Sequence, residues 1–279
     1  MSQIKGLFKI SRPLSTLSGA LAVLLGGYVA GTGAWGNIFL AALVTVLISS
    51  SANAWNDYLD IEIDKINQPQ RPLPSGMVTP RAAVTFAVIT AILSIVLAAL
   101  INPPALIIAI ISNVLLFLYS WKLKSTVLLG NFTVAFISAM SAVFGGIAAG
   151  NVKPSIWLAV IIATAILGRE ILKTLADYDG DLRQRCRTIS TVWGRRPARI
   201  FFYILAWATI GMMMLPYLFR VYEPIYAYIV LFGVYPVLLY ILVRVSRERT
   251  AAQLERLSQL MKYDFMIWFL AVVLGTRAW

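Results

Sequence analysis

The chain contains no histidine. That absence removes imidazole as a general base, as a haem ligand and as the common zinc ligand. A single cysteine, Cys186, excludes a disulfide within the chain. Any metal must then be held mainly by oxygen, which favours Mg²⁺ or Mn²⁺. Charge is scarce as well. Only 13% of the 279 residues are Asp, Glu, Lys or Arg, where a soluble domain has roughly a quarter. A charge in hydrocarbon costs several kcal/mol, so a chain that lives in lipid carries few of them.

What the chain has in abundance is apolar surface, 59% of its residues. A bilayer crossing needs roughly 20 consecutive apolar residues. Nine such runs are predicted, at about 13–31, 36–56, 81–99, 103–121, 127–149, 154–175, 197–219, 225–244 and 262–276. Pro13, Pro103, Pro104, Pro154 and Pro197 stand near the starts of these runs, where a missing N–H is tolerated. The runs extend from end to end. The expectation is therefore an all-α, polytopic membrane helix bundle of nine transmembrane helices, forming a single domain over 1–279. The opening MSQIKGLFKISRP does not have the pattern of a cleaved signal peptide.

A net charge of +12 would raise the question of nucleic acid in a soluble protein. Here the cations sit in loops, and membrane topology accounts for them without a nucleic-acid partner. Of the 24 Lys and Arg residues, only Lys153, Arg220 and Arg277 fall on one side of the predicted spans, and the other 21 fall on the opposite side. The positive-inside rule then predicts an integral protein of the cell membrane. Its N-terminus and its polar loops near 65–80, 182–196 and 245–261 lie in the cytoplasm, with the C-terminus outside.

The acidic residues are distributed very unevenly. Eight of the twelve lie in two segments, 57–64 and 170–181, at the cytoplasmic ends of the second and sixth runs. Asn53, Asp57, Asp60 and Asp64 follow i, i+4, i+7, i+11 spacing, and Asn56, Asp60 and Asp64 follow i, i+4, i+8. Glu170, Lys173, Asp177 and Asp181 follow i, i+3, i+7, i+11. If helix continues through each segment, both sets form stripes on one helical face. Facing carboxylate stripes would repel strongly without cations. Aligned oxygen ligands on two helices suit Mg²⁺ ions that also hold a diphosphate. Glu62 points away from its stripe and is expected to be solvated or to form a modest surface ion pair. The run 177–181 has only a poor match to a calcium loop, with glycine and the twelfth residue both out of place.

The two acidic segments begin about 120 residues apart, each after an even-numbered run. That spacing predicts a pseudo-repeat of two four-helix units plus a ninth helix. Arg71 stands in a loop of three prolines and a glycine, a fixed guanidinium fork suited to phosphate oxygens. Arg183, Arg185 and Arg187 follow the second segment. Each serves either as a topology charge or as part of an anion site. Lys173 shares the face of Glu170 and Asp177 and is placed to touch diphosphate or leaving-group oxygens. Asn113 has an interhelical hydrogen bond or a cavity role open to it. Gly26, Gly27, Gly145, Gly146 and Gly150 allow close helix packing or leave room for a long tail.

The segments NAWNDYLDIEIDKIN (53–67) and RPLPSG (71–76), together with DYDGD (177–181), resemble the paired signatures of the UbiA superfamily of intramembrane prenyltransferases. The resemblance covers essentially the whole chain. It implies Mg²⁺-dependent transfer of a prenyl group from an isoprenyl diphosphate to a lipophilic acceptor. By motif match, Asn56, Asp60, Asp64, Asp177 and Asp181 would hold metal and diphosphate, with Asp57 at the adjacent acidic position. Arg71 and Lys173 would steady phosphate oxygens, and Asn53 and Arg187 complete the expected binding set. With REILK (169–173), these segments are similar to an ether-lipid-forming branch of the superfamily. That branch joins geranylgeranyl diphosphate to geranylgeranylglyceryl phosphate. Two departures from the branch pattern occur: Thr174 stands in place of an aspartate, and the run from Arg185 to Ser190 replaces a glycine-containing run ending Thr-Leu-Pro. Members with aromatic or tetrapyrrole acceptors have similar first motifs, so those acceptors stay open. A secondary transporter is the reading from another class. It requires acids near mid-membrane, whereas these lie at helix ends. A CDP-alcohol phosphotransferase would need an acidic run that the chain lacks.

Overall fold

The structure, a computed structural model, describes residues 3–183, 186–247 and 250–277. Those residues are all helix, turn and loop. Their only β contact is an isolated bridge between Tyr222 and Thr276. In chain order the helices are α1 (Gln3–Ile10), α2 (Pro13–Ala30), α3 (Trp35–Leu59), α4 (Ile61–Asn67), α5 (Pro80–Ala99), α6 (Pro103–Trp121) and α7 (Leu129–Ala148). They continue with α8 (Lys153–Ala176), α9 (Tyr178–Arg183), α10 (Ile189–Val192), α11 (Arg195–Leu218), α12 (Pro224–Ile229), α13 (Tyr235–Arg247) and α14 (Ala251–Gly275). Nine spans among the described residues are long and apolar enough to cross a membrane. The protein is an integral membrane protein of helical type.

Prolines begin several spans as expected. Pro13, Pro80, Pro103 and Pro224 each occupy the first turn of a helix, where the lost N–H has no partner to miss. The eighth span runs through Pro224–Arg247 by way of a π-helical segment at Val230–Val234. Pro236 explains it: its ring nitrogen cannot donate to the carbonyl four residues back, and a wider turn accommodates the defect.

The ninth span starts much earlier than the predicted 262. Thr250 and Gln253 form a reciprocal capping box that begins α14 at Ala251. Its first three turns are polar on one side, which hides them from a search for apolar runs. They still bury Leu254, Leu257 and Ser258. The predicted polar loop at 245–261 is therefore mostly helix.

Packing divides the chain into two compact units, Met1–Lys124 with Met140–Ser155, and Ser125–Ala139 with Ile156–Trp279. In the first unit, Ala20 and Val23 of α2 pack with Ala41, Val44 and Ile48 of α3, and with Ala98, Ala105, Ala109 and Phe144. The alanines allow close approach of helix backbones, the usual basis of helix association in lipid. At Gly145 the approach is closest: a Cβ there would stand 1.9 Å from the Val23 carbonyl oxygen. A second cluster joins α1 to α3 and α5 through Ile10, Ala54, Ala83 and Ala87, and takes Leu73 and Val78 from the proline-rich loop. That loop is ordered as expected, with Gly76 at φ 72° and the Val78 N–H donating to the Pro72 carbonyl at 3.0 Å. In the second unit the core is Leu167, Ile171, Leu172 and Leu175 of α8 against Phe202, Ile241, Val245, Leu254 and Leu257.

Candidate functional site

Each acidic segment sits where a long helix breaks into a short one. Helix does not continue unbroken through the first. α3 ends at Leu59, and Asp60 takes φ −93°, ψ 7° before α4 starts. Hydrogen bonds nevertheless bridge the break. The Asp60 N–H donates to the Asn56 carbonyl at 3.0 Å, and the Asp64 N–H donates to the Asp60 carbonyl at 2.8 Å. The second segment repeats this geometry. α8 ends at Ala176, the Asp177 N–H donates to the Lys173 carbonyl at 2.8 Å, and the Asp181 N–H donates to the Asp177 carbonyl at 2.8 Å. The pairs Asp60–Asp64 and Asp177–Asp181 thus share one backbone hydrogen-bond spacing, although the flanking sequences differ.

The break at Asp60 splits the expected first stripe in two. Asp57 and Asp64 are both buried. Arg12 donates to Asp57, while Arg71 donates to Asp64 at 2.6 Å and stands 3.7 Å from Asp57. Arg71 is itself held by Nε donating to Gln68 Oε1 at 2.7 Å. On the other side, Lys124 donates to Asp60, and Asn56 Nδ2 donates to Asp60 Oδ2 at 3.0 Å. Asn53 Nδ2 donates to the Ser11 carbonyl at 3.0 Å, pinning the segment that leads into α2. Glu62 makes the expected surface pair with Lys65.

Repulsion within the first segment is therefore relieved without a metal, by one cation for each of three carboxylates. Two of those cations, Arg12 and Lys124, count from sequence only as topology charges. Their roles depend on contacts 45 and 64 positions away, which helix periodicity does not reveal. Arg12 also has a left-handed backbone at φ 50°, a strained state for a residue with a Cβ and one that collects at functional positions.

The second segment is less well compensated. Lys173 donates to Glu170 at 3.0 Å, and Arg169 stands 3.6 Å from the same carboxylate. Arg195 pairs with Asp179 at 3.0 Å and lies over the Tyr178 ring. Asp177 and Asp181 have no ion pair within 4.0 Å among the described residues. Burial raises the Asp177 carboxyl, with Lys173 opposing and Glu255 and Glu170 adding to the rise. Burial pushes Asp181 up to about 6, and its neighbour Asp177 adds to this against a hydrogen bond with Thr188. Arg187 is exposed ahead of α10, and Arg185 lies outside the described residues.

The donor set fits a hard divalent cation, being carboxylate and amide oxygen without histidine or thiolate. Among the described residues no three carboxylates converge on one point. A metal at the first segment must therefore displace Lys124 or Arg71. At the second segment it would meet Asp177 and Asp181 without an ion pair among the described residues, with their charge disfavoured by burial, and would relieve both.

The two departures at Thr174 and Ser190 meet in space. Thr174 is buried, and its hydroxyl lies 2.8 Å from that of Ser190. Asn113 takes the plain structural role, donating to Ser94 Oγ at 3.0 Å across α5 and α6.

An all-helical membrane protein with two aspartate-bearing helix breaks has the arrangement expected of an intramembrane prenyltransferase. A family model for the UbiA prenyltransferase family matches residues 17–270. The chain belongs to that family and is a prenyltransferase. It is 36% identical to digeranylgeranylglyceryl phosphate synthase of Methanopyrus kandleri over 77% of this chain and 79% of that one. It is 28% identical to the same synthase of Methanosphaera stadtmanae over 96% and 97%. A solved structure described as digeranylgeranylglyceryl phosphate synthase in membranes superposes with a TM-score of 0.85 at 28% identity, covering 99% of each chain. A UbiA homologue from Archaeoglobus fulgidus, solved with GPP and Mg²⁺, has the same fold at a TM-score of 0.72 and 17% identity, over 96% of this chain and 99% of that one.

Proposed function

We propose that this chain transfers a geranylgeranyl group from geranylgeranyl diphosphate to geranylgeranylglyceryl phosphate, yielding digeranylgeranylglyceryl phosphate and diphosphate. The observation that carries this reading is the 0.85 superposition on a digeranylgeranylglyceryl phosphate synthase over 99% of each chain. The whole chain acts as one prenyltransferase domain, with its N-terminus and motif loops in the cytoplasm and its C-terminus outside. Asn56, Asp60, Asp64, Asp177 and Asp181 hold Mg²⁺ and the donor diphosphate, and Asp57 supports Arg12 and Arg71 beside them. Bound Mg²⁺ supplies positive charge to the departing diphosphate. Arg71, Lys124 and Lys173 supply more from the protein side.

The allylic C–O bond of the donor breaks as the acceptor hydroxyl oxygen bonds to the same carbon. The hydroxyl proton leaves to a base, and an ether results. Apolar helices keep water from the cation-like carbon and limit hydrolysis. The phosphate of the acceptor calls for cations beyond those that hold the diphosphate. Arg183 and Arg187 supply them after the second motif.

The test is a reconstituted reaction with Mg²⁺, labelled geranylgeranyl diphosphate and a panel of acceptors, with products identified by mass. The reading requires the diether phosphate from geranylgeranylglyceryl phosphate. Prenylation of an aromatic acceptor in its place would overturn it.

A further inference from the structure

The short helix α10 is seated on α8, both within the second unit. Ile189 is fully buried in the core to which α8 contributes Ile171, Leu172 and Leu175. Ser190 is fully buried as well, and its hydroxyl lies 2.8 Å from that of Thr174. The Thr174 proton is already placed, since that hydroxyl donates to the Ile171 carbonyl at 2.8 Å. Ser190 is therefore the donor and Thr174 the acceptor. One apolar contact and one directed hydrogen bond fix where α10 begins.

Thr188 stands at that beginning. Its hydroxyl accepts from the Thr191 N–H at 3.3 Å, and the Thr191 hydroxyl accepts in return from the Thr188 N–H at 2.8 Å. This capping box leaves two hydroxyl protons to place. That of Thr191 goes to the Cys186 carbonyl at 2.7 Å. The Thr188 hydroxyl is hydrogen-bonded to the Asp181 side chain. An ionised carboxylate only accepts, so Thr188 donates. The competing acceptor, the Thr191 hydroxyl oxygen at 3.3 Å, already takes the Thr188 N–H.

The backbone of Asp181 is tied from both sides. Its N–H donates to the Asp177 carbonyl at 2.8 Å, and its carbonyl accepts from the Cys186 N–H at 2.8 Å. Arg195 holds the first turn of α9, pairing with Asp179 at 3.0 Å and lying 4.1 Å over the Tyr178 ring. The Asp181 carboxyl has no ion pair among the described residues. With the backbone held, the hydroxyl of Thr188 is what fixes the direction of this side chain.

We propose that Thr188 is a positioning residue for Asp181, holding one carboxylate oxygen and leaving the other free for a divalent cation. The inference rests on the reading of Asp181 as a metal ligand. A carboxylate that is already held gives up less side-chain freedom when it binds a cation than one that must first find its rotamer. Hydrogen bonds to ligating carboxylates tune metal affinity in this way. Thr188 acts through Asp181 and not on the substrate. The buried Thr174–Ser190 pair acts one step further back, by placing α10.

The test is the Mg²⁺ concentration that half-saturates the thermal shift of the purified protein in detergent, with no substrate added. Thr188→Val keeps the shape and loses the hydroxyl, and should raise that concentration roughly tenfold. Thr188→Ser restores the hydroxyl and should return it to within about twofold of the wild type. Ser190→Ala should raise it roughly threefold. Losing the cap lowers the midpoint of Thr188→Val without Mg²⁺ whatever its role, so the half-saturation point decides. If that point is unchanged in Thr188→Val, or if Thr188→Ser does no better than Thr188→Val, the proposal is overturned. Should Thr188→Val fail to fold, Ser190→Ala decides, and an unchanged half-saturation point there overturns it. No Mg²⁺ shift in the wild type overturns the metal reading of Asp181 and this inference with it. A wild-type shift that Asp181→Asn abolishes and Thr188→Val leaves alone overturns this inference only.

Discussion

Lys124 closes an ion pair with Asp60 from 64 positions along the chain. It is one of three such closures, with Arg12 on Asp57 and Arg71 on Asp64. Each of the three aspartates in the first motif is thereby matched before any metal or diphosphate is present. Among the described residues, Asp177 and Asp181 of the second motif have no ion pair. The two acidic motifs therefore start from different electrostatic states, although their backbone hydrogen bonds share one spacing at Asp60–Asp64 and Asp177–Asp181.

Replacing Lys124 by methionine should leave Asp60 without its cation in a half-buried site. Breaking a buried pair from one side costs about 3–5 kcal/mol. Here the Asp60 side chain keeps 19% exposure and the Lys124 side chain 30%, and solvent reduces the cost. Donor kcat/KM is expected to fall roughly 10- to 100-fold, with Lys124→Arg retaining most of it. A Lys124→Met enzyme with wild-type diphosphate release would show that the pair has no part in the reaction.

Mg²⁺ should stabilise the fold through the second motif, since a ligand that binds only the native state raises stability by mass action. Thermal unfolding in detergent should shift upward as Mg²⁺ is titrated and return on adding a chelator. Asp181→Asn removes one of the two carboxylates that have no ion pair among the described residues and should abolish most of the shift, with activity falling at least about 100-fold. An undiminished Mg²⁺ shift in Asp181→Asn would move the metal away from this motif.

The spans and both motifs are legible in the sequence because each rests on local information. A run of apolar residues announces a crossing, and i, i+4 spacing announces a shared face. What escapes is of two kinds. The start of α14 escapes because the Thr250 box and the amphipathic turns carrying Leu254 and Leu257 do not form an apolar run. The break at Asp60 escapes because nothing in the helical period marks it. The partners Arg12 and Lys124 escape because no local rule relates residues 45 and 64 positions apart. The Thr174–Ser190 contact is an intermediate case. Both residues stand out as departures from the branch pattern, and only the structure shows that they touch.

Gly145 is a direct measure of how tightly α2 and α7 pack. A Cβ at this position would lie 1.9 Å from the Val23 carbonyl oxygen and 2.7 Å from the Gly27 nitrogen, both of them backbone. Backbone cannot rotate aside, so the helices must part. Gly145→Ala should destabilise by about 1–3 kcal/mol. Gly211 in α11 has no atom within 4 Å of its would-be Cβ. Gly211→Ala should therefore gain up to about 1 kcal/mol from helix propensity. Opposite shifts in thermal midpoint for the two alanines are expected, and a shared direction would contradict the packing described.

Arg71 separates the effect of charge from that of shape. Its guanidinium reaches Asp64 at 2.6 Å and Gln68 at 2.7 Å, and stands 3.7 Å from Asp57. The proline-rich turn from 71 to 76 fixes where that fork begins. A lysine in its place keeps the charge but directs a single ammonium, which cannot serve Asp64 and Gln68 in the same plane. Arg71→Lys should therefore lower donor kcat/KM roughly tenfold, and Arg71→Gln, which loses the charge as well, roughly 100-fold. If shape were irrelevant, Arg71→Lys would match the wild type. If charge were irrelevant, the two variants would match each other. The ordered series wild type, lysine, glutamine is the outcome this geometry requires, because Asp64 needs a cation near it and the loop needs a fork to hold that cation still.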